Sequence, residues 1–412
     1  MSFRLALVIL NVIAIGAILG VIFWRVVSIR RNPEKEPANL TPFLQDDDLE
    51  GRRLERVLGW ALVMGLITAI AIPAYFIWEP TREQKMVDLF KERSIQRGAT
   101  LFANKQMDAY DAEFSLLCAD CHGSDAKGSV APFVIQPEAD KCQQKANQKN
   151  PDVPECLPDQ VQWSAPDLTT AGLRFSKAQL IEIVTYGRPG TPMPAWGVKS
   201  GKGAKNDQSI EDLVNYILSL QITPAQAQAQ SAKAIGKYKQ QARGFVTDRQ
   251  DNLSTAESAL ADAQSKGASA DELATLQTAV TKAQSEVQQA IAYRDEVNGL
   301  SDGAILFRLN CARCHTKGWS YFQNEPYRTD LPVQPQQGSG ALGPSLLNGA
   351  VELQFPGQAG VKQQYTWIAD GTTPPDHQQY GARGISTGRM PHFGQMLTKA
   401  QINAIIEYER SL

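Results

Sequence analysis

The sequence predicts a mainly α protein: two N-terminal transmembrane helices, then two helical domains joined by a long helical hairpin. Three observations carry this expectation. Two long apolar runs lie within the first 80 of 412 residues. The segments 81–221 and 301–412 repeat one order of motifs. Between them, 222–300 is rich in Ala and Gln, with no proline from Ala225 to Leu300.

Composition narrows the class. The formal charge is −2 and mean hydropathy is −0.29. With two apolar runs present, the remainder must be distinctly polar. That excludes both a fully buried multi-pass transporter and a wholly soluble chain, and no bulk basic field points to nucleic acid.

The first run, Leu5 to Val27, is long enough to cross a hydrocarbon core of about 30 Å. A cleaved signal peptide is the alternative. The run exceeds the usual apolar region of about 7–15 residues, and no small-x-small cleavage site precedes Arg30-Arg31, which favours a retained anchor in 1–28. The second run, Val57 to Trp78 within 57–80, contains Pro73 and has Trp60, Tyr75 and Trp78 near its ends, as interfacial aromatics should be. The loop 29–56 carries Arg30, Arg31, Lys35, Arg52, Arg53 and Arg56, which favours a cytoplasmic side. Basic residues also follow the second run, so charge alone orients the chain weakly. Asp46-Asp47-Asp48 reads as a solvated loop.

After the second run, Arg82 to Phe102 reads as an amphipathic helix, and Ser209 to Leu220 as another, stopped before Pro224. In 222–300, Gly267 and the capping signal Ser269-Ala-Asp-Glu272 divide two helix-forming stretches, giving an antiparallel hairpin with a small-residue seam. A disordered linker is the alternative that such composition allows.

Six cysteines are present, four of them in Cys118-Ala-Asp-Cys121-His122 and Cys311-Ala-Arg-Cys314-His315. A Cys-x-x-Cys-His string is the attachment site of a c-type haem. The thiols form thioethers to the vinyl groups, and the adjacent His reaches the iron. Zinc is the rival, but zinc pairs lie about 15–20 residues apart, and these are far more distant. A thioredoxin-like dithiol needs a strand-helix-strand context and does not explain His after both pairs. Two covalently bound haem c groups are therefore expected.

His122 is the only histidine of the first domain, so Met193, beside Pro194, is its distal candidate; Met390, beside Pro391, is the candidate of the second. They follow their histidines by 71 and 75 residues, in a chain with only 7 Met. His377, His392 and Met396 stand as alternatives near Met390. Axial His and Met raise the potential and fill both axial positions, which suits electron transfer rather than catalysis. Pro166 and Pro344, placed between His and Met in each domain, are positioned to hold the second ring nitrogen of His122 and His315. Cys142 and Cys156 form a disulfide candidate, because haem c is attached outside the cytoplasm.

These motifs resemble the class I cytochrome c family over about 94–220 and 301–412. The resemblance rests on Gly98…Phe102, Cys118-x-x-Cys-His122, Pro166, Met193-Pro194 and Tyr216, repeated as Gly303…Phe307, Cys311-x-x-Cys-His315, Pro344, Met390-Pro391 and Tyr408. It implies that Gly98 and Gly303 allow the first helix of each domain to cross the last closely, beside Tyr216 and Tyr408. Two such domains on a membrane anchor also resemble the dihaem cytochrome cc subunit of actinobacterial cytochrome bcc complexes and the dihaem subunit of cbb-type oxidases. The former usually anchors at its C-terminus, and the loop motifs of the latter find no match here. The resemblance implies an electron-transfer protein with both termini and both haem domains outside the cytoplasm. A quinol-oxidising cytochrome bc-type complex would be its donor, and a terminal oxidase or soluble carrier its acceptor.

Overall fold

The computed structural model describes residues 13, 16–28, 50–135, 159–326, 334–372, 379–380, 384–385 and 390–412. The chain divides into two compact units, Met1–Lys85 and Met86–Leu412.

In the first unit, α1 is a short apolar helix, Gly16–Ser28. The long helix α2 begins here and spans Arg52–Phe102, with Pro73 and Pro80 inside it. The apolar run 57–80 and the amphipathic segment 82–102 are thus one helix, not two. Among the described residues α2 is the one helix long and apolar enough to cross a membrane, and none of its most apolar window is buried. Trp60, Ile70 and Ile77 leave 66%, 69% and 80% of their surface open. An unbroken apolar helix surface of this kind suits lipid, where the helix satisfies its own backbone. The remainder of the first predicted span lies outside the described residues.

The second unit starts with the C-terminal part of α2, followed by the short α3 (Cys118–His122). Then come β1 (Val130–Ile135), β2 (Asp159–Ser164), α4 (Lys177–Tyr186) and α5 (Asp207–Ser219). The strands pair antiparallel, with Phe133 opposite Val161. This strand pair is absent from the sequence expectation. A short alternation such as Asp-Gln-Val-Gln-Trp-Ser carries little signal among the surrounding helical patterns.

Helix α6 (Pro224–Ser265) and helix α7 (Ala270–Gly299) form the antiparallel hairpin. Thr223 caps α6 with a reciprocal Gln226 contact, and Pro224 takes the first helical position, where its missing N–H costs nothing. Gly267 makes the turn at φ +69°. Ser269 accepts from Glu272 N at 3.3 Å, so only the first half of the expected capping box forms. The seam is built from Tyr238, Ala242 and Val246 on α6, and from Val287, Ala290, Tyr293 and Val297 on α7, at spacings near a heptad. At 1.5 Å per residue the longer arm reaches about 60 Å. Its base packs on the following segment: Ile305 joins Tyr238, Tyr293 and Val297, and Ser231 Oγ donates to Met396 O.

The last segment holds α8 (Asp302–Asn310), α9 (Ala312–His315), α10 (Trp319–Phe322), α11 (Ala350–Gln354), α12 (Gly357–Asp370) and α13 (Lys399–Glu409). Polar N-caps start its main helices: Ser301 for α8 and Thr398, with Gln401, for α13. Its core is Leu306, Phe307, Trp319, Ile402, Ile405 and Ile406 with their neighbours. The core of 86–221 gathers Phe102, Leu180, Ile210, Val214 and Ile217, while Leu173 joins the core of the last segment.

The two crossings repeat. A Cβ at Gly98 would lie 2.1 Å from Asp212 O and 2.7 Å from Tyr216 Cβ; one at Gly303 would lie 2.0 Å from Ala404 O. Only glycine lets these backbones touch. Phe102 packs on Tyr216 with ring centroids 5.4 Å apart, and Phe307 on Tyr408 at 5.3 Å.

Candidate functional site

Cys118–His122 forms the short helix α3, and Cys311 caps the short helix α9 that carries Cys314 and His315; each histidine faces inward. His122 and His315 are both buried. The Nδ1–H of His122 donates to Pro166 O at 3.2 Å, and that of His315 donates to Pro344 O at 2.9 Å. A ring held through Nδ1 keeps Nε2 unprotonated and free to bind a metal.

The loops that deliver these prolines share two hydrogen bonds. Gly128 N donates to His122 O, and Gly340 N to His315 O, both at 2.8 Å. Leu168 N donates to Ala126 O and Leu346 N to Gly338 O, also at 2.8 Å. Gly128 and Gly340 hold φ of +90° and +86°; a Cβ at Gly128 would sit 2.6 Å from Ala165 O. Gly343 has a different constraint: a Cβ there would lie 2.7 Å from His315 Cε1. The second ring is thus seated against bare backbone.

The methionine segments repeat as well. Gly187 ends α4 and Gly371 ends α12, both with positive φ. A Cβ at either glycine would sit 2.7 Å from a methionine carbonyl, that of Met193 or of Met390. Three residues after each methionine the chain is pinned to the helix again. Trp196 N and Gly197 N donate to Val184 O and Thr185 O; Phe393 N and Gly394 N donate to Ile368 O and Ala369 O. Met193 packs against the first core, as do Cys118, Leu168 and Trp196. Met390 and His315 line one cavity of about 160 Å³, with Pro344, Phe355, Trp367 and Glu409. Met396 is buried in the adjacent core, and His392 N donates to Arg174 O. His377, Cys142 and Cys156 lie outside the described residues.

The electrostatics fit a covalent cofactor better than a thiolate site. Burial pushes the Cys118 thiol up to about 12 and raises Cys311 well above its ordinary value. A reactive dithiol needs the opposite, a stabilised thiolate. Among the described residues no group of three or more His, Cys, Asp or Glu is placed to hold a metal ion. Burial also lowers the pKa of both histidines, against the opposing pull of their proline carbonyls. A neutral imidazole is the form that ligates iron.

Residues 95–221 match the family model for cytochrome c. This segment is a cytochrome c domain. It implies electron transfer and covalently bound haem c. The chain has no match among curated proteins or solved structures. In the cytochrome c domain the residues present fit the group: two thiols and an inward histidine on one short helix, and a methionine on a loop anchored by Gly187. Haem c would supply a one-electron iron couple.

The structure adds residues that the motifs did not reveal. Arg313, inside the second string, donates to Ser164 O at 2.5 Å, on the strand leading to Pro166. Asn324 reinforces this contact, accepting from Ser164 Oγ and donating to Gln162 O. Arg174 and Arg188 both stack on Phe175. Burial, with Arg313 and Arg188 nearby, lowers the Arg174 pKa to about 10. A position between two cysteines reads as solvent-facing in sequence, so nothing there announces Arg313.

Proposed function

We propose that the chain is a membrane-anchored dihaem c-type cytochrome. Cys118 and Cys121 tether the first haem, with His122 and Met193 on its iron; Cys311 and Cys314 tether the second, with His315 and Met390. The observation that carries this reading is the repeated frame. Each histidine holds a proline carbonyl, and each methionine loop is pinned to a helix end by a glycine and two backbone hydrogen bonds. The same frame stands in the cytochrome c domain and in the last segment, which supports a haem in each.

The apolar α2 and the first apolar run anchor the chain in the membrane, with both haem segments outside the cytoplasm, where haem c is attached. The domains follow 81–221 and 301–412, with the hairpin 222–300 between them. Electrons pass from a quinol-oxidising cytochrome bc-type complex through the two haems towards a terminal oxidase or soluble carrier. Tethering both haems on one chain replaces diffusional capture by a high effective concentration.

The test is a reduced-minus-oxidised difference spectrum of the protein isolated from membranes in mild detergent. The proposal expects c-type bands accompanied by b-type bands. An oxidase haem that binds carbon monoxide, with no quinol-oxidising partner, would instead make the chain the electron-entry subunit of a cbb-type or other haem-copper oxidase. Absence of c-type bands would overturn both.

A further inference from the structure

Glu409 is the last residue of α13 and only 8% exposed. It lines the same cavity as His315 and Met390. A carboxylate buried in an apolar cavity is costly unless it is paired or neutral. Glu409 accepts one hydrogen bond, from Gln364 Nε2 at 2.9 Å. The neighbouring Arg410 turns elsewhere, to Phe355 O and Gln364 Oε1. The charged and titratable groups facing Glu409 are few. Gln364 faces it from α12 and is neutral. Cys311, at the end of α8, faces it and becomes a neutral thioether once haem is attached. His315 lines the cavity as the iron's own histidine. From α11 the cavity is lined by Ala350, Val351 and Gln354, while Glu352 points out to solvent.

The repeat supplies an internal control. Tyr408, just before Glu409, stacks on Phe307; its counterpart Tyr216 stacks on Phe102 and is followed by Ile217. Ile217 is equally buried. At matching positions of the last helix the second segment therefore carries an ionisable group and the first an aliphatic one.

We propose that Glu409 is a redox-linked proton site: it takes up a proton from solvent when the second iron accepts an electron, and releases it on reoxidation. This rests on the reading that the second string carries haem. The balance is simple. One electron from the donor reduces ferric to ferrous iron, and one proton converts the Glu409 carboxylate to the acid. Reduction removes a positive charge from the cavity, so the carboxylate loses its counter-charge and binds a proton more tightly. By linkage, an ionised Glu409 favours the ferric state and lowers the potential. Burial pushes the carboxyl up to about 7, against the Gln364 hydrogen bond. The change thus falls where small electrostatic differences switch the group.

The test is a spectroscopic redox titration of the full-length protein in detergent from about pH 5 to pH 9. One haem should fall in potential with rising pH, by up to about 59 mV for each tenfold drop in proton concentration. The other should stay nearly flat. Glu409→Gln should flatten the first response and raise that potential at high pH, leaving the other haem unchanged. Two flat profiles, or a slope that survives in E409Q, would overturn the proposal; a surviving slope would belong to the haem propionates. If E409Q does not fold, redox-difference infrared spectra of the wild type decide. A protonated carboxyl band that appears on reduction, sensitive to deuterium exchange and shifted in E409D, supports the proposal, and its absence overturns it. A single haem per chain would instead refute the second-haem reading on which the proposal rests.

Discussion

Arg313, from the second cysteine string, donates a hydrogen bond to the carbonyl of Ser164, two residues before the proline that holds His122. The two histidine frames are therefore joined through side chain and backbone, not only through the long hairpin. Arg313 is half-buried, and desolvation of its guanidinium lowers its pKa, so its hydrogen bond is partly shielded from water.

Arg313→Ala should accordingly cost about 1 kcal/mol, the scale for a hydrogen bond lost from a half-buried pair. Calorimetry of the haem-loaded protein would register this as a melting point lowered by several degrees. Unchanged melting would mean that the contact contributes nothing to docking.

The ligand frames predict separable potentials. Met193→His should lower the potential of one haem and Met390→His that of the other. The fall should be on the order of 0.1 V or more, within the roughly 0.8 V that axial ligands command. Redox titration of each variant should show one wave moved and one unmoved. A Met390→His variant with both waves in place would direct attention to another distal ligand.

The glycine crossings predict a steric cost. Gly98→Ala and Gly303→Ala each force a methyl into a backbone carbonyl about 2 Å away. Each should destabilise by about 1–3 kcal/mol or more, as overpacking does. Gly236→Ala, on the open surface of α6, meets nothing within 4 Å and should be neutral or stabilising. Denaturant unfolding of the three variants provides the comparison.

Glu409 predicts a pH slope in stability. Its folded-state value of about 7 lies above the ordinary 4.5, because burial favours the neutral acid. The native state therefore binds the proton more tightly than the unfolded chain does. The contribution is complete below about pH 4.5 and is lost as pH rises through 7, on the order of 3 kcal/mol in all. Unfolding midpoints should fall across that window in the wild type and much less in Glu409→Gln.

Much of the fold could be read from residues whose physics is local. Thr223-Pro224, Gly267 and Ser269 mark the hairpin ends because caps and left-handed turns are chemical choices made within a few residues. The string, proline and methionine of each half were visible as motifs. Their similar His-to-Met separations, however, conceal compensating insertions. Pro166 follows His122 by 44 residues and Pro344 follows His315 by 29. The first half gains length before its proline, where β1 and β2 lie, and the second gains it between Gly371 and Met390. Insertions of this kind hide the strand pair from a helical reading. Tertiary relationships were harder still. Gly343 against the His315 ring, Arg313 on Ser164 and Glu409 in the cavity depend on which segments meet, and no local pattern encodes that. Pro73 sits inside the expected span, but the continuation of α2 past Pro80 is not legible in the sequence, because a proline reads as a helix end and here the helix runs through it.

The most direct measurement of the central claim is the haem content of the full-length chain, by intact-protein mass spectrometry and haem absorbance per protein. The account predicts two covalent haems, with Cys311→Ser/Cys314→Ser removing one and Cys118→Ser/Cys121→Ser removing the other. A single haem in the wild type, lost with the first pair and indifferent to the second, would contradict it.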